Sequence, residues 1–144
     1  MQEIRIQGEV AASPQAVWDV YTDHRGWQDW AGVREVVLRQ QGEPAPNGVG
    51  ASRVLRARGM AIEEEVIAFD PPKRMVYRLV AGAPVRNHQG EVRLTPSQVG
   101  THVEWVVRFD PLIPFTGGLL ARVGRRVLQD VLDRLTAYEF DRAA

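Results

Sequence analysis

The chain has 144 residues, of which 44% are hydrophobic and 25% charged, enough for one domain with a sizeable core. Its 18 basic and 18 acidic residues cancel, so no overall field favours nucleic acid or an anionic membrane, and the lack of cysteine excludes disulfides, thiolate metal sites and cysteine nucleophiles. No segment has the apolar length of a signal peptide or a membrane span. We therefore expect one soluble, cytoplasmic domain over residues 1–144.

The chain opens with a strand and two short helices. Apolar residues and a glycine at positions 4, 6, 8 and 10 alternate with polar side chains, which predicts a half-buried strand. Ser13-Pro14 is typical of an N-cap with proline at the first helical position, and this helix is expected to reach Thr22. A second short helix follows, with Trp27 and Trp30 on one side, and ends at Gly32.

Six more strands are predicted between residues 33 and 109. Loops and turns rich in glycine and proline separate them, for example the segment 42–48. Consecutive strands with short links pair antiparallel by default. The last strand has the clearest alternation, with its apolar and aromatic side chains facing inward. The predicted ranges are 33–41, 51–58, 60–69, 74–81, 88–95 and 101–109.

The only long helical pattern covers residues 116–140. Its apolar face is expected to pack on the core, and its arginines lie on the opposite arc. Gly124 lies within the apolar face, where glycine costs about 0.5–1 kcal/mol relative to alanine. Either a strand or ring presses close there, or the missing side chain leaves room for a ligand. The apolar face comprises Leu120, Val123, Gly124, Val127, Val131, Leu135 and Tyr138.

Four local motifs accompany this order of elements: Ser13-Pro14-Gln15-Ala16-Val17-Trp18, Trp27-Gln28-Asp29-Trp30, Glu65-Val66-Ile67-Ala68-Phe69-Asp70-Pro71-Pro72 with Tyr77, and Gly100-Thr101-His102-Val103-Glu104-Trp105. With these motifs the chain resembles the helix-grip fold of the START-like superfamily, also called SRPBCC, to which polyketide cyclase/dehydrases belong. The resemblance implies an α+β fold in which a curved, mostly antiparallel seven-stranded sheet wraps a long C-terminal helix. It also implies a deep, largely apolar cavity between sheet and helix, used by relatives for lipids, hydrophobic metabolites or polyketide-like compounds.

His88 is the leading polar candidate. Counting by two from it gives Gly90, Val92 and Leu94, so the ring is predicted to point toward the helix near a strand end. A neutral imidazole there is suited to act as a general base or to orient a polar ligand group. The alternative is a hydrogen-bonded histidine at the rim with no chemistry.

The acidic run Glu63-Glu64-Glu65 lies inside a strand, so Glu64 faces opposite to its two neighbours. Apolar residues follow on both faces, and a bulge can switch them, so the pattern leaves open which acid points inward. An inward carboxyl is a candidate acid or base, whereas the alternative is an exposed strand end. Arg53 and Arg56 lie on opposite faces of one strand, and the pattern leaves open which of them, if either, points into the cavity.

Tyr77 is predicted to line the cavity with its hydroxyl available as a donor. The catalytic candidates are thus His88, Glu64 and Tyr77. The residues predicted to bind ligand are Trp30, Tyr77, His88, Trp105, Leu120, Gly124 and Val127.

Other chemistries find no support in the sequence. The three histidines lack metal-ligand spacing, and Gly48-Val49-Gly50-Ala51 opens a strand where a dinucleotide fingerprint would open a helix. We therefore expect no metal, no cofactor, no nucleic-acid partner and no membrane span.

Three functions are compatible with these patterns. The first is binding of a small hydrophobic molecule, lipid- or polyketide-like, between the sheet and the C-terminal helix. The second is a cofactor-free polyketide cyclase or dehydratase in which His88, Tyr77 or an inward glutamate moves protons. The third is a protein-interaction module with an incidental cavity. Converging polar residues in the pocket favour the enzyme, and a dry pocket with one polar anchor favours the binding protein.

Overall fold

The computed structural model describes residues 1–140 and contains seven strands and three helices there, in the predicted order. The domain prediction extends past residue 140, and its last four positions lie outside the described residues. The elements are β1 (Gln2–Val10), α1 (Pro14–Thr22), α2 (Trp27–Trp30), β2 (Glu35–Gln40), β3 (Ser52–Ala57), β4 (Met60–Asp70), β5 (Arg74–Ala81), β6 (Val85–Pro96), β7 (Thr101–Pro111) and α3 (Gly117–Thr136).

The strands form one antiparallel sheet in the order β1-β7-β6-β5-β4-β3-β2, which confirms the α+β helix-grip prediction. Five of the six strand pairs join consecutive strands. The sixth pairs β1 with β7, so the first and last strands of the chain are neighbours.

All three helices lie on one face of this sheet, which we call the inner face. A Cβ on Gly8 of β1 would contact Leu132 of α3, and the ring of Trp18 in α1 packs on Phe69 of β4. Following the register from β1 across the sheet assigns every second residue to this face. Its buried members include Ile6, Trp105, Val92, Met75, Val66 and Val36.

Helix α1 begins as its sequence predicts. Ser13 caps α1 by accepting a hydrogen bond from the backbone N–H of Ala16 at 3.2 Å. Between β3 and β4 the turn residues Arg58 and Gly59 both have positive φ, 56° and 75°. This is typical of a two-residue hairpin turn and fixes the register of β3 against β4.

The C-terminal helix covers most of residues 116–140, as predicted, and runs from Gly117 to Thr136. Its apolar face is buried only in the second half, at Val131, Leu132 and Leu135. The prediction of a fully core-facing stripe is therefore wrong for Val123 and Val127, which are 50% and 37% exposed. The helix is not apolar enough to span a membrane, nor is any other described helix.

Gly124 of α3 packs closely on β1. A Cβ at this position would lie 2.8 Å from Cδ1 of Ile4, a buried side chain of β1. The structure thus favours close packing over vacant space as the reason for this glycine. Its predicted role in ligand binding stays a prediction.

Candidate functional site

Three buried polar side chains contact one another on the inner face, beside β3 and β4. Arg53 is 2% exposed, and its Nη2 donates to Oε1 of Glu64 at 3.0 Å. Its other terminal nitrogen, Nη1, lies 3.0 Å from Nε2 of His24, which is 1% exposed. We call His24, Arg53 and Glu64 the interior charge cluster. Glu64 is therefore the inward member of the acidic run, and the exposed-end alternative does not hold for it.

The chemistry of arginine fixes the state of His24. A guanidinium only donates hydrogen bonds, so Nε2 of His24 accepts and the ring proton of the neutral form is on Nδ1. Burial lowers the pKa of His24 well below its usual value, and the nearby Arg53 charge acts in the same direction. The Asn47 side chain interacts with this ring, but Nδ1 has no hydrogen-bond partner among the described residues.

Aromatic side chains enclose the cluster. The guanidinium carbon of Arg53 lies 5.4 Å from the ring centroid of Tyr77, within the range of a cation–π contact. The Tyr77 hydroxyl accepts a hydrogen bond from Nε1 of Trp105 at 2.9 Å. Burial raises the pKa of Tyr77, and so does the carboxylate of Glu64. Tyr77 is thus a fixed phenol in the core.

His88 lies on the same face one strand further on. Its Nδ1 accepts a hydrogen bond from the backbone N–H of Leu79 at 3.0 Å, so in the neutral ring the proton is on Nε2. Burial lowers the pKa of His88, whereas the charge of Glu64 opposes that shift. The ring centroid lies 5.8 Å from that of Tyr77. His88 therefore presents a neutral N–H donor beside the interior charge cluster.

Part of the inner face near the turn between β3 and β4 is incompletely buried. Leu55 and Ile62 face each other across β3 and β4, and Leu79 pairs with Glu64, so all three share the face of Arg53. Each is only half-buried. On α3, Val123 and Val127 continue the stripe of buried Val131 at four-residue spacing, and both are exposed. Arg58, in the turn between β3 and β4, donates to Asp130 of α3 at 3.1 Å, so this end of the sheet lies close to the helix. We use the term groove for the incompletely buried apolar residues Leu55, Ile62, Leu79, Val123 and Val127 together with His88.

The other residues predicted to bind ligand lie in the core or are half-buried outside the groove. Trp105 and Tyr77 are buried in the core, and Leu120 is half-buried on α3. Trp30 is half-buried, and its ring centroid lies 6.3 Å from that of Tyr138. Their contact with a ligand stays a prediction.

Two surface depressions of about 780 and 510 Å³ lie elsewhere. Charged side chains of β2, β3 and the outward side of α3 dominate their walls, and they contain none of the candidate residues. Such walls do not suit a hydrophobic molecule. Within residues 1–140, no three His, Asp or Glu side chains are grouped so that they could hold a metal ion.

Sequence reasoning did not single out His24 and did not settle the face of Arg53. His24 lies in the link between α1 and α2, where no periodicity signals burial. For Arg53 a signal existed, because it shares strand parity with the apolar Ala51 and Leu55.

The two depressed histidine pKa values predict a loss of stability in mild acid. In the unfolded chain, histidine side chains become protonated near pH 6.5. In the folded protein, His24 and His88 become protonated only at lower pH. Stability present above about pH 6.5 should therefore fall as the pH drops, by up to about 1.4 kcal/mol per pH unit for each proton. Urea unfolding at pH 7, 6 and 5 measures this.

His24→Gln is the matched variant, because its amide oxygen can still accept from Arg53. It should flatten the acid slope between pH 7 and 5. An unchanged slope in this variant would contradict the assignment of His24 as a buried neutral ring.

Comparison with known proteins agrees with this architecture. Residues 1–138 match the family model described as polyketide cyclase / dehydrase and lipid transport. An uncharacterized protein of Mycobacterium tuberculosis is 32% identical over 71 residues, which are 49% of this chain and 41% of that protein. The match thus spans less than half the length of the mycobacterial protein.

Two solved structures show the same fold. The protein XoxI from Bacillus cereus superposes with a TM-score of 0.80 at 19% identity, covering 100% of this chain and 99% of XoxI. A START superfamily protein from Mycobacterium smegmatis gives 0.80 at 13% identity, with 94% of each chain covered. Because the family model matches residues 1–138, nearly the whole chain, the chain belongs to the polyketide cyclase/dehydrase and lipid transport family.

Proposed function

We propose that this protein binds a small hydrophobic molecule in the groove. The observation that carries the proposal is the pair Val123 and Val127, which are exposed although they continue the buried stripe of α3 toward the inner face. Half-buried Leu55, Ile62 and Leu79 lie on the sheet side of the same space. Apolar side chains left open on both walls favour an apolar occupant.

The groove also offers one polar anchor. Nε2 of neutral His88 carries a proton, because Nδ1 is occupied by the Leu79 N–H. A donor of this kind suits a ligand oxygen, such as a carbonyl or hydroxyl. The same tautomer makes His88 a poor general base, since Nε2 has no free lone pair. One anchor on apolar walls is the arrangement expected of a binding protein.

A double variant tests the groove. Val123→Asp with Val127→Asp should weaken binding of a fluorescent apolar probe at least about tenfold, because charged carboxylates would replace its apolar contacts. Both positions are exposed, so the free energy of unfolding should change by only about 0.5 kcal/mol per site. Probe titration and urea unfolding measure the two effects.

Val37→Asp is the control, since Val37 is 40% exposed on β2 with the parity of the opposite face. Probe binding that is weakened as much by this variant as by the double variant would rule out the groove. Native mass spectrometry of the purified protein can identify a co-purified ligand.

A cyclase or dehydratase is the second candidate. It is favoured by the carboxylate of Glu64, whose side chain remains 10% exposed and whose charge acts on His88. Catalysed dehydration would appear in the mass spectrum as a bound compound that loses one water. Release of the unaltered compound supports binding alone.

A further inference from the structure

The segment that joins β7 to α3 presents apolar side chains to solvent. Leu112 and Ile113 are each 55% exposed, and Phe115 is fully exposed at 105%. We call residues 112–115 the apolar tip. The backbone N–H of Leu112 donates to the carbonyl of Pro84 at 2.9 Å, so the tip lies beside the turn between β5 and β6.

The backbone of the tip is held in a costly conformation. Phe115 has φ of +68°, which bulky residues rarely adopt. The hydroxyl and the backbone N–H of Thr116 both donate to the carbonyl of Ile113, and this turn fixes the arrangement. A strained backbone that exposes an aromatic ring does not stabilise the fold. We therefore expect a binding partner to cover the ring.

The charge around the tip identifies the partner. Although the chain as a whole is neutral, residues 111–129 contain three arginines and no acid. Leu119, Arg122 and Arg126 follow one outward stripe of α3 at helical spacing. Neither Arg122 nor Arg126 makes an ion pair within residues 1–140, and Arg125 donates to the backbone carbonyl of Arg5. Two arginines without an ion pair among the described residues therefore follow the apolar tip along α3, and the first acids beyond them are Asp130 and Asp133.

We propose that the apolar tip, together with Leu119, Arg122 and Arg126, docks this protein on the surface of an anionic lipid bilayer. Aromatic and aliphatic side chains enter the boundary between headgroups and acyl chains, and adjacent arginines attract anionic headgroups. The tip directly precedes α3, so docking would place the first half of that helix, which carries Val123 and Val127, near the bilayer.

Vesicle flotation with the full chain tests the proposal. We expect association with vesicles of phosphatidylcholine plus phosphatidylglycerol, weak association with phosphatidylcholine alone, and loss of association in high salt. Phe115→Asn should weaken binding about tenfold or more, because a ring worth about 1.5–3 kcal/mol on burial is lost. Asparagine tolerates positive φ, so this variant should fold normally.

The arginines are tested by Arg122→Glu with Arg126→Glu, expected to reduce binding at least about tenfold. Val99→Asn is the control for the ring, since Val99 is 57% exposed in the turn between β6 and β7. Arg25→Glu with Arg34→Glu is the control for charge, since both arginines are exposed, and it should leave binding unchanged.

Three results would overturn the proposal: no association with either vesicle, equal losses in the control variants, or a tip variant that changes the oligomeric state, which would mean that a second copy covers the tip. Val123→Asn with Val127→Asn separates the two proposals, because it removes apolar contacts of the groove without adding negative charge beside Arg122 and Arg126. If it loses the probe and still floats, docking stands without depending on the groove.

Discussion

Arg53→Met is expected to lower the free energy of unfolding by about 3–5 kcal/mol, the usual cost of removing one partner from a buried ion pair. Glu64, only 7% exposed, would lose its cation, and Nε2 of His24 would lose its donor. Urea unfolding monitored by tryptophan fluorescence measures the change.

Two further variants isolate the cause. Arg56→Met removes an exposed pair with Glu35 and should cost less than about 1 kcal/mol. Arg53→Met with Glu64→Leu removes both charges and should recover much of the loss, because no unpaired charge then remains in the core. A double variant as unstable as Arg53→Met alone would show that the guanidinium acts through packing.

Gly90→Ala is expected to lower the free energy of unfolding by about 1–3 kcal/mol. Gly90 of β6 is paired with Tyr77 of β5, and a Cβ there would overlap the Tyr77 ring. The ring is held by the hydrogen bond from Trp105, so it has little freedom to move. The near-ultraviolet circular dichroism of the buried aromatic residues should change together with the melting temperature.

Gly8→Ala is the matched control on the same face. Its Cβ would lie 3.4 Å from Leu132, an ordinary contact, so the variant should be neutral or slightly stabilising. Equal destabilisation by the two substitutions would mean that strand glycines matter here for a reason other than the space taken by Tyr77.

The fold could be predicted because local patterns and pairing rules agree. Period-two alternation located the strands, and Ser13-Pro14 located the start of α1. The pairing of Arg53 with Glu64 could also have been predicted from the sequence. A two-residue turn at Arg58-Gly59 pairs residue 57 with 60, and counting back pairs Arg53 with Glu64, as observed.

The groove could not be predicted in this way. The helical periodicity of α3 shows which side is apolar. How much of that side is buried depends on where the helix lies across the sheet. Close packing of Gly124 on Ile4 holds α3 against β1 at the edge of the sheet. Val123 and Val127 consequently remain exposed, and this outcome depends on the contact between α3 and β1 as well as on the apolar period of α3.

The pairing of β1 with β7 bears on how the chain folds. Gln2 lies opposite Phe109 and Val10 opposite Thr101, so these contacts close loops of about a hundred residues. Contacts at such separation slow folding, because loop-closure entropy is lost before the contacts form. During synthesis β1 emerges first and must wait for β7 before it has a neighbour in the sheet. The β2–β5 meander can assemble earlier from local hairpins, whereas β1 and the helix resting on it join last.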